Sequence, residues 1–306
     1  MCCHSSSGVF FTFASEILKK NGVVFGAMID ADGFVSHTMV DNIKQLECLF
    51  GAKYSQSKIG NAYIKAKNCL EEGKYVLFTG TPCQIAGLKK FLSKEYEKLL
   101  CMDFICHGIP SPLVWSKYLS EVSQKKIRKI NFRSKDTGWS NYRYSLKIVY
   151  DDDSSFVQKN NENEFLQGMV KNLYLRPSCS QCKFKGLNHP GDITVGDFWG
   201  IWDINPEFDD DKGVSAIIIN TNKGSAFLET CIEQMEVVSV DLYDIRKNNV
   251  SWCKSVVNSK KRYDFFEEIK ATKSFKMAFE EIQHKEIKSI SLIDRIYSIK
   301  QRFLRR

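Results

Sequence analysis

No run of apolar residues in this 306-residue chain comes near the roughly twenty that a bilayer-spanning helix needs. The start, MCCHSSSGVFFTFASEILKK, has neither the basic opening nor the small-residue cleavage site of a secretory signal. These two absences predict a soluble, cytoplasmic protein. Internal repeats and low-complexity linkers are also missing, so repeat architectures are excluded. The eleven cysteines are odd in number, and without an export signal they do not suit a disulfide scaffold; buried thiols plus a metal or redox site suit them better. The Cys179–Cys182 CxxC has no second CxxC, which a zinc ribbon requires. GTPCQIAG, residues 80–87, lacks the Gly-Lys-Ser/Thr ending of a Walker A loop.

The hydrophobic fraction of 43% and the charged fraction of 26% are ordinary for a globular protein. The length allows one large α/β domain or two smaller ones. Net charge is +8, but over 284–306 seven Lys/Arg face two acids, so more than half of the excess sits in a tail. A nucleic-acid footprint would spread basic residues over a face or groove, and no nucleic-acid partner is expected.

The periodicity predicts a helix after a cap at Ser5 to Ser7, with Phe10, Phe13, Ala14, Ile17 and Leu18 on its apolar face. VVFGAMI and FVSHTMV read as strands flanking a DADG turn, with helices following over 43–50 and 61–72. KYVLFTG and KLLCMDFIC are buried strands, separated by a helix carrying Ile85, Leu88, Phe91 and Leu92. From Lys126 the pattern turns antiparallel, with KIRKINFR and a hairpin turning at 151–154. A helix over 163–173, strands ITVGDFW and AIIINT, a helix near 225–235 and a strand VVSVDL come next. The expected class is α/β: an N-terminal α/β half with a mainly parallel sheet, a C-terminal α+β half and a helical basic tail. The corresponding segments are 1–80, 81–283 and 284–306.

A lone CxxC serves as half a zinc site, a thiol–disulfide pair or part of an iron–sulfur site, or as two ordinary loop thiols. Cys179 and Cys182 follow a helix and a proline rather than opening a helix after a strand, which disfavours the dithiol. Cys83 follows one apolar strand and Cys106 the next. Neighbouring parallel strands end on one side of a sheet, where ligand crevices form. If these two strands are neighbours, the CxxC loop completes four thiolates, a set that fits zinc or a 4Fe-4S cluster. Cys48, Cys69, Cys101 and Cys231 sit in apolar periodic segments and are expected in the core.

Gly80 permits close backbone approach, Pro82 suits a first helical turn, and the helix start offers free N–H groups to a phosphate. The serine run 5–7 is a helix cap or a phosphate cradle. His107 is a proton donor or a hydrogen-bonded loop residue, and Lys53 is an anion partner or a solvated lysine.

Taken together and in order, SSSG, AKYSQS, VLFTGTPCQIAGLKKFL, DFICHGIPSPLVWSKYL, RPSCSQCKF and DITVGDFWG resemble the coenzyme F420 hydrogenase/dehydrogenase beta-subunit family, from about Ser5 to Trp202. The family also includes chlorophyll-related reductases. The resemblance implies an oxidoreductase with FAD beside a 4Fe-4S cluster, passing electrons between a ferredoxin-like partner and a small-molecule acceptor. It implies Cys83, Cys106, Cys179 and Cys182 as cluster ligands. It places Ser6, Ser7, Lys53, Thr79, Gly80, Thr81, Gln84 and Asp197 in motifs that line the flavin. His107 stands as the catalytic candidate.

Two departures matter. Many members begin with a ferredoxin-like segment bearing two clusters, and Cys2 and Cys3 cannot replace it. The expected electron source is then a separate ferredoxin-like protein, or the chain is truncated. Val9 also stands where relatives commonly have glycine, at the phosphate-facing turn. Two other readings remain: a zinc-stabilised interaction protein and a non-catalytic family member. In the tail, Ile287, Ile290, Ile293, Ile296 and Tyr297 recur at helical spacing among Lys/Arg. That pattern suits packing on its own domain, docking of an acidic ferredoxin-like donor, or an anionic membrane surface.

Overall fold

A computed structural model describes residues 8–139 and 142–285. The serine run at 5–7 and most of the basic tail, 286–306, lie outside the described residues.

The elements follow in chain order: α1 (Gly8–Lys19), β1 (Val23–Ile29), β2 (Val35–Val40), α2 (Ala62–Glu71), β3 (Val76–Gly80), α3 (Pro82–Leu92), β4 (Leu99–Phe104) and α4 (Pro112–Val122). Next come β5 (Ile127–Ser134), β6 (Ser145–Tyr150), β7 (Ser155–Lys159), α5 (Glu164–Val170), β8 (Ile193–Asp197), α6 (Ile201–Ile204), β9 (Ser215–Ile219) and α7 (Asn222–Glu229). The short α8 (Leu242–Asn248) and α9 (Val250–Cys253) precede α10 (Arg262–Thr272).

Six strands form one sheet in the order β2-β1-β3-β4-β8-β9, and β5-β6-β7 form a second, antiparallel one. In the larger sheet β1, β3, β4 and β8 run parallel, with antiparallel β2 and β9 at the edges. Alternation along the strands sends Leu77, Leu100 and Met102 to the face covered by α1, and Phe78, Leu99 and Cys101 to the face covered by α2 and α3. The boundary drawn at residue 80 falls between β3 and α3, within a crossover of this sheet, and β8 and β9 complete the sheet from the far half of the chain. The second sheet backs onto an aromatic core containing Trp115, Phe132, Phe165 and Tyr174.

Two expectations need correction. VVSVDL forms no strand, and the chain there runs irregularly into α8. Cys48 is exposed, whereas Cys69, Cys101 and Cys231 are buried. The 43–49 turn is a 3-10 helix, whose three-residue period buries Leu46 and Leu49 and leaves Cys48 outside.

Candidate functional site

The carboxyl ends of β3 and β4 lie side by side, paired through Gly80 and Asp103. Cys83 sits in the first turn of α3, where Pro82 opens the helix and Thr81 with Gln84 forms a capping box. Cys106 lies two residues beyond β4, and Cys179 and Cys182 lie on and just after a 3-10 turn over Pro177–Gln181. These four thiols are in electrostatic reach of one another. Burial pushes the Cys106 thiol up to about 12, Lys185 opposes that rise, and the other three cysteines add to it. Cys179 is raised by burial and again by Cys83 and Cys182. Thr81 Oγ1 stands 3.1 Å from Cys83 Sγ. Gly108 leaves room here: a Cβ on it would meet Leu175 at 2.8 Å and Cys179 at 3.6 Å. Among the described residues, no three His, Cys, Asp or Glu side chains are gathered tightly enough to hold a single metal ion.

A strap made by residues 249–259 closes this loop, and nothing in the local sequence pattern announced it. Lys185 Nζ donates to the carbonyls of Cys106 and Ser251, each at 2.6 Å. Ser255 Oγ donates to the Cys182 carbonyl and Asn258 Nδ2 to Ser180 Oγ. His107 is held in the same network. Its Nε2 faces Asn172 Oδ1 at 2.8 Å and its Nδ1 faces Ser251 Oγ at 3.2 Å. A carbonyl oxygen can only accept, so Nε2 carries the proton and Nδ1 takes the serine hydroxyl. Burial holds the His107 pKa below its ordinary value.

The residues expected to line a flavin fall into two groups. Thr79, Gly80, Thr81 and Gln84 sit together at the β3–α3 turn. Thr79 Oγ1 donates to the Phe25 carbonyl, and Gln84 Oε1 accepts from the Thr81 N–H and hydroxyl. A Cβ on Gly80 would crowd Gln84 Oε1 at 3.1 Å and His37 Nε2 at 3.4 Å. Lys53 donates to the Leu49 and Phe50 carbonyls, each at 2.8 Å, and no described acid pairs with it. Burial therefore lowers its pKa to about 7. The Phe50 ring also packs edge-on against Phe10 and Phe11, so Lys53 lies near the start of α1. Asp197 stands apart from this group. It ends β8 and pairs with Arg133 of β5 at 2.5 Å, in a cage of Trp139, Tyr144 and Trp199. Arg133 was not foreseen, because nothing in a strand sequence says which carboxylate its arginine will meet.

The match to known proteins is decisive at the family level. The family model for the C terminus of the beta subunit of coenzyme F420 hydrogenase/dehydrogenase matches residues 73–245, more than half of the chain and a span that includes all four cysteines. The chain belongs to that family. Among solved structures, it is similar to a chain of the F420-reducing [NiFe] hydrogenase complex from Methanosarcina barkeri, with a TM-score of 0.54 over 87% of each chain. The two are 14% identical, so that likeness speaks for the fold. No curated protein matches. Membership in a family of redox-enzyme subunits fits the oxidoreductase class expected above. No helix among the described residues is long and apolar enough to cross a membrane.

Proposed function

We propose that this family member is an FAD- and 4Fe-4S-dependent oxidoreductase, linking a ferredoxin-like electron donor to a small-molecule acceptor. The observation that carries the proposal is the convergence of Cys83, Cys106, Cys179 and Cys182 at one sheet end. The donor set is purely thiol, the chemistry that iron–sulfur clusters use. Lys53, the serines 6 and 7, and the Thr79–Gln84 turn would hold the flavin. A half-buried lysine without a described acid partner suits an anionic group. Bound flavin and cluster would together convert two-electron into one-electron transfer.

The chain's own residues do the positioning. Thiolates must lose their protons to become ligands, and Lys185, tied to the Cys106 backbone, eases that loss. Asp197, committed to Arg133, is better read as shaping the pocket wall than as a direct flavin ligand. Both His107 nitrogens are engaged, which supports holding the cysteine loop over donating a proton.

Purification without oxygen, followed by a visible spectrum and metal analysis, tests the proposal. Flavin bands over a broad brown absorption, with about four iron atoms per chain, are expected. A colourless protein carrying stoichiometric zinc would overturn it in favour of a structural metal site.

A further inference from the structure

The chain has two stretches without any Asp or Glu that embrace the cysteine site. Residues 165–191 contain four Lys/Arg and residues 245–263 contain six, with no acid in either. Everything outside them carries 34 Lys/Arg against 36 Asp/Glu, slightly acidic. These two stretches, together with the tail, therefore carry the positive excess of a chain that is otherwise acidic.

Folding brings the two together. Beyond the Lys185, Ser255 and Asn258 contacts, Asn172 Nδ2 donates to the Val257 carbonyl and Arg262 Nε to the Leu175 carbonyl. Of the ten cations, eight form no ion pair among the described residues, Lys171 and Lys261 being set aside. Arg176, Lys183, Lys254 and Lys260 are exposed. Amid this charge stand three apolar side chains, Leu187, Val250 and Val257, at 83%, 66% and 80% exposure. A charged collar around scattered apolar contacts has the composition of a transient protein interface, in which charge sets encounter and orientation.

We infer that the face formed by residues 171–190 and 246–262, which carries Cys179 and Cys182 and is tied to the Cys106 carbonyl through Lys185, is the docking surface for an acidic, one-electron-carrying protein. The redox character of that partner rests on the function proposed above; its acidity rests on the charge pattern alone. Electron transfer falls off with distance, so a partner docked on this face would bring its centre close to the residues that would hold a cluster in this chain.

The test measures binding and not colour, so that its failure is distinct from failure of the cofactor reading. The full chain is titrated with an oxidised, acidic plant-type 2Fe-2S ferredoxin by calorimetry, at about 20 mM and about 300 mM NaCl. Binding at low salt is expected, with affinity about ten-fold or more weaker at high salt and in the Lys254→Glu/Lys260→Glu double variant. Val257→Asp should weaken it as well. The charge-matched control Lys44→Glu/Lys65→Glu, on exposed positions remote in sequence from this face, should leave affinity within about two-fold. No binding by the wild type, equal loss in the control, or unaltered affinity in Lys254→Glu/Lys260→Glu each overturns the inference. So does tighter, salt-sensitive binding to phosphatidylserine vesicles that the same variant abolishes.

Discussion

Two carboxylates on neighbouring strands of the larger sheet meet opposite fates. Asp103, on β4, is fully buried and fully engaged: Oδ1 accepts from His189 Nδ1 at 2.8 Å and Thr194 Oγ1 at 2.6 Å, and Oδ2 from the Gly191 N–H at 2.9 Å. Its surroundings are equally closed, since a Cβ on Gly191 would sit 2.9 Å from the Asp103 nitrogen. Asp197, on β8, has its charge met by Arg133, yet Arg133 Nε and Nη2 are buried without hydrogen-bond partners among the described residues and face aromatic rings. A complete network specifies one arrangement, here the seating of the cysteine-bearing loop on β4. An incomplete one leaves donors available at a cost in stability. The first region reads as scaffold for the cysteines, the second as an ion pair enclosed by aromatic rings.

The sharpest break in that comparison is Asp103→Asn. Its amide would confront the Gly191 N–H or His189 with a donor, leaving buried groups unpaired. We expect a loss of about 3–5 kcal/mol in denaturant unfolding, with the cysteine loop loosened. A loss below about 1 kcal/mol would show that the network is not the anchor.

Arg133 provides the contrast. Arg133→Met alone strands Asp197 and should cost about 3 kcal/mol, while Arg133→Met/Asp197→Asn should cost much less, because the desolvation penalty of both ions disappears. Equal losses in the single and double variants would mean that the arginine acts by packing on Trp139 and Trp199 and not through its charge.

Lys53 gives a pH-dependent effect of clear sign. Its folded pKa of about 7 lies below its ordinary value of 10.5, so the unfolded chain holds more protons between these values and stability rises with pH there. The burden of the charge is full below about pH 7 and vanishes above about 10.5. Lys53→Met should therefore be more stable than wild type by a larger margin at about pH 6.5 than at about pH 9.5. A constant margin in thermal unfolding would place the lysine in water. Binding of an anionic cofactor should narrow the low-pH margin by pairing the charge.

Much of the fold was legible because burial imposes periodicity. Leu77–Phe78 and Leu99–Cys101 alternate between two covered faces, and Pro82 announces α3. The approach of the four thiols to one another was legible in part: local punctuation put Cys83 and Cys106 after strands, and motif order named the family. Cys48 misled because apolar neighbours look alike until a helix chooses its period. VVSVDL misled because β-branched residues favour a strand only where a partner edge exists.

What the sequence determined by itself is the set of local choices: strands that must be buried on both faces, a proline-led helix after β3, and two acid-free stretches whose positive charge no partner within them neutralises. The tertiary structure decided the partners. It made β3 and β4 neighbours, gave Asp197 to Arg133 and Asp103 to His189, and folded residues 249–259 across the cysteine loop. Each of these joins groups far apart along the chain, and spacing in sequence carries no information about which distant groups will share a desolvated site until the backbone has packed.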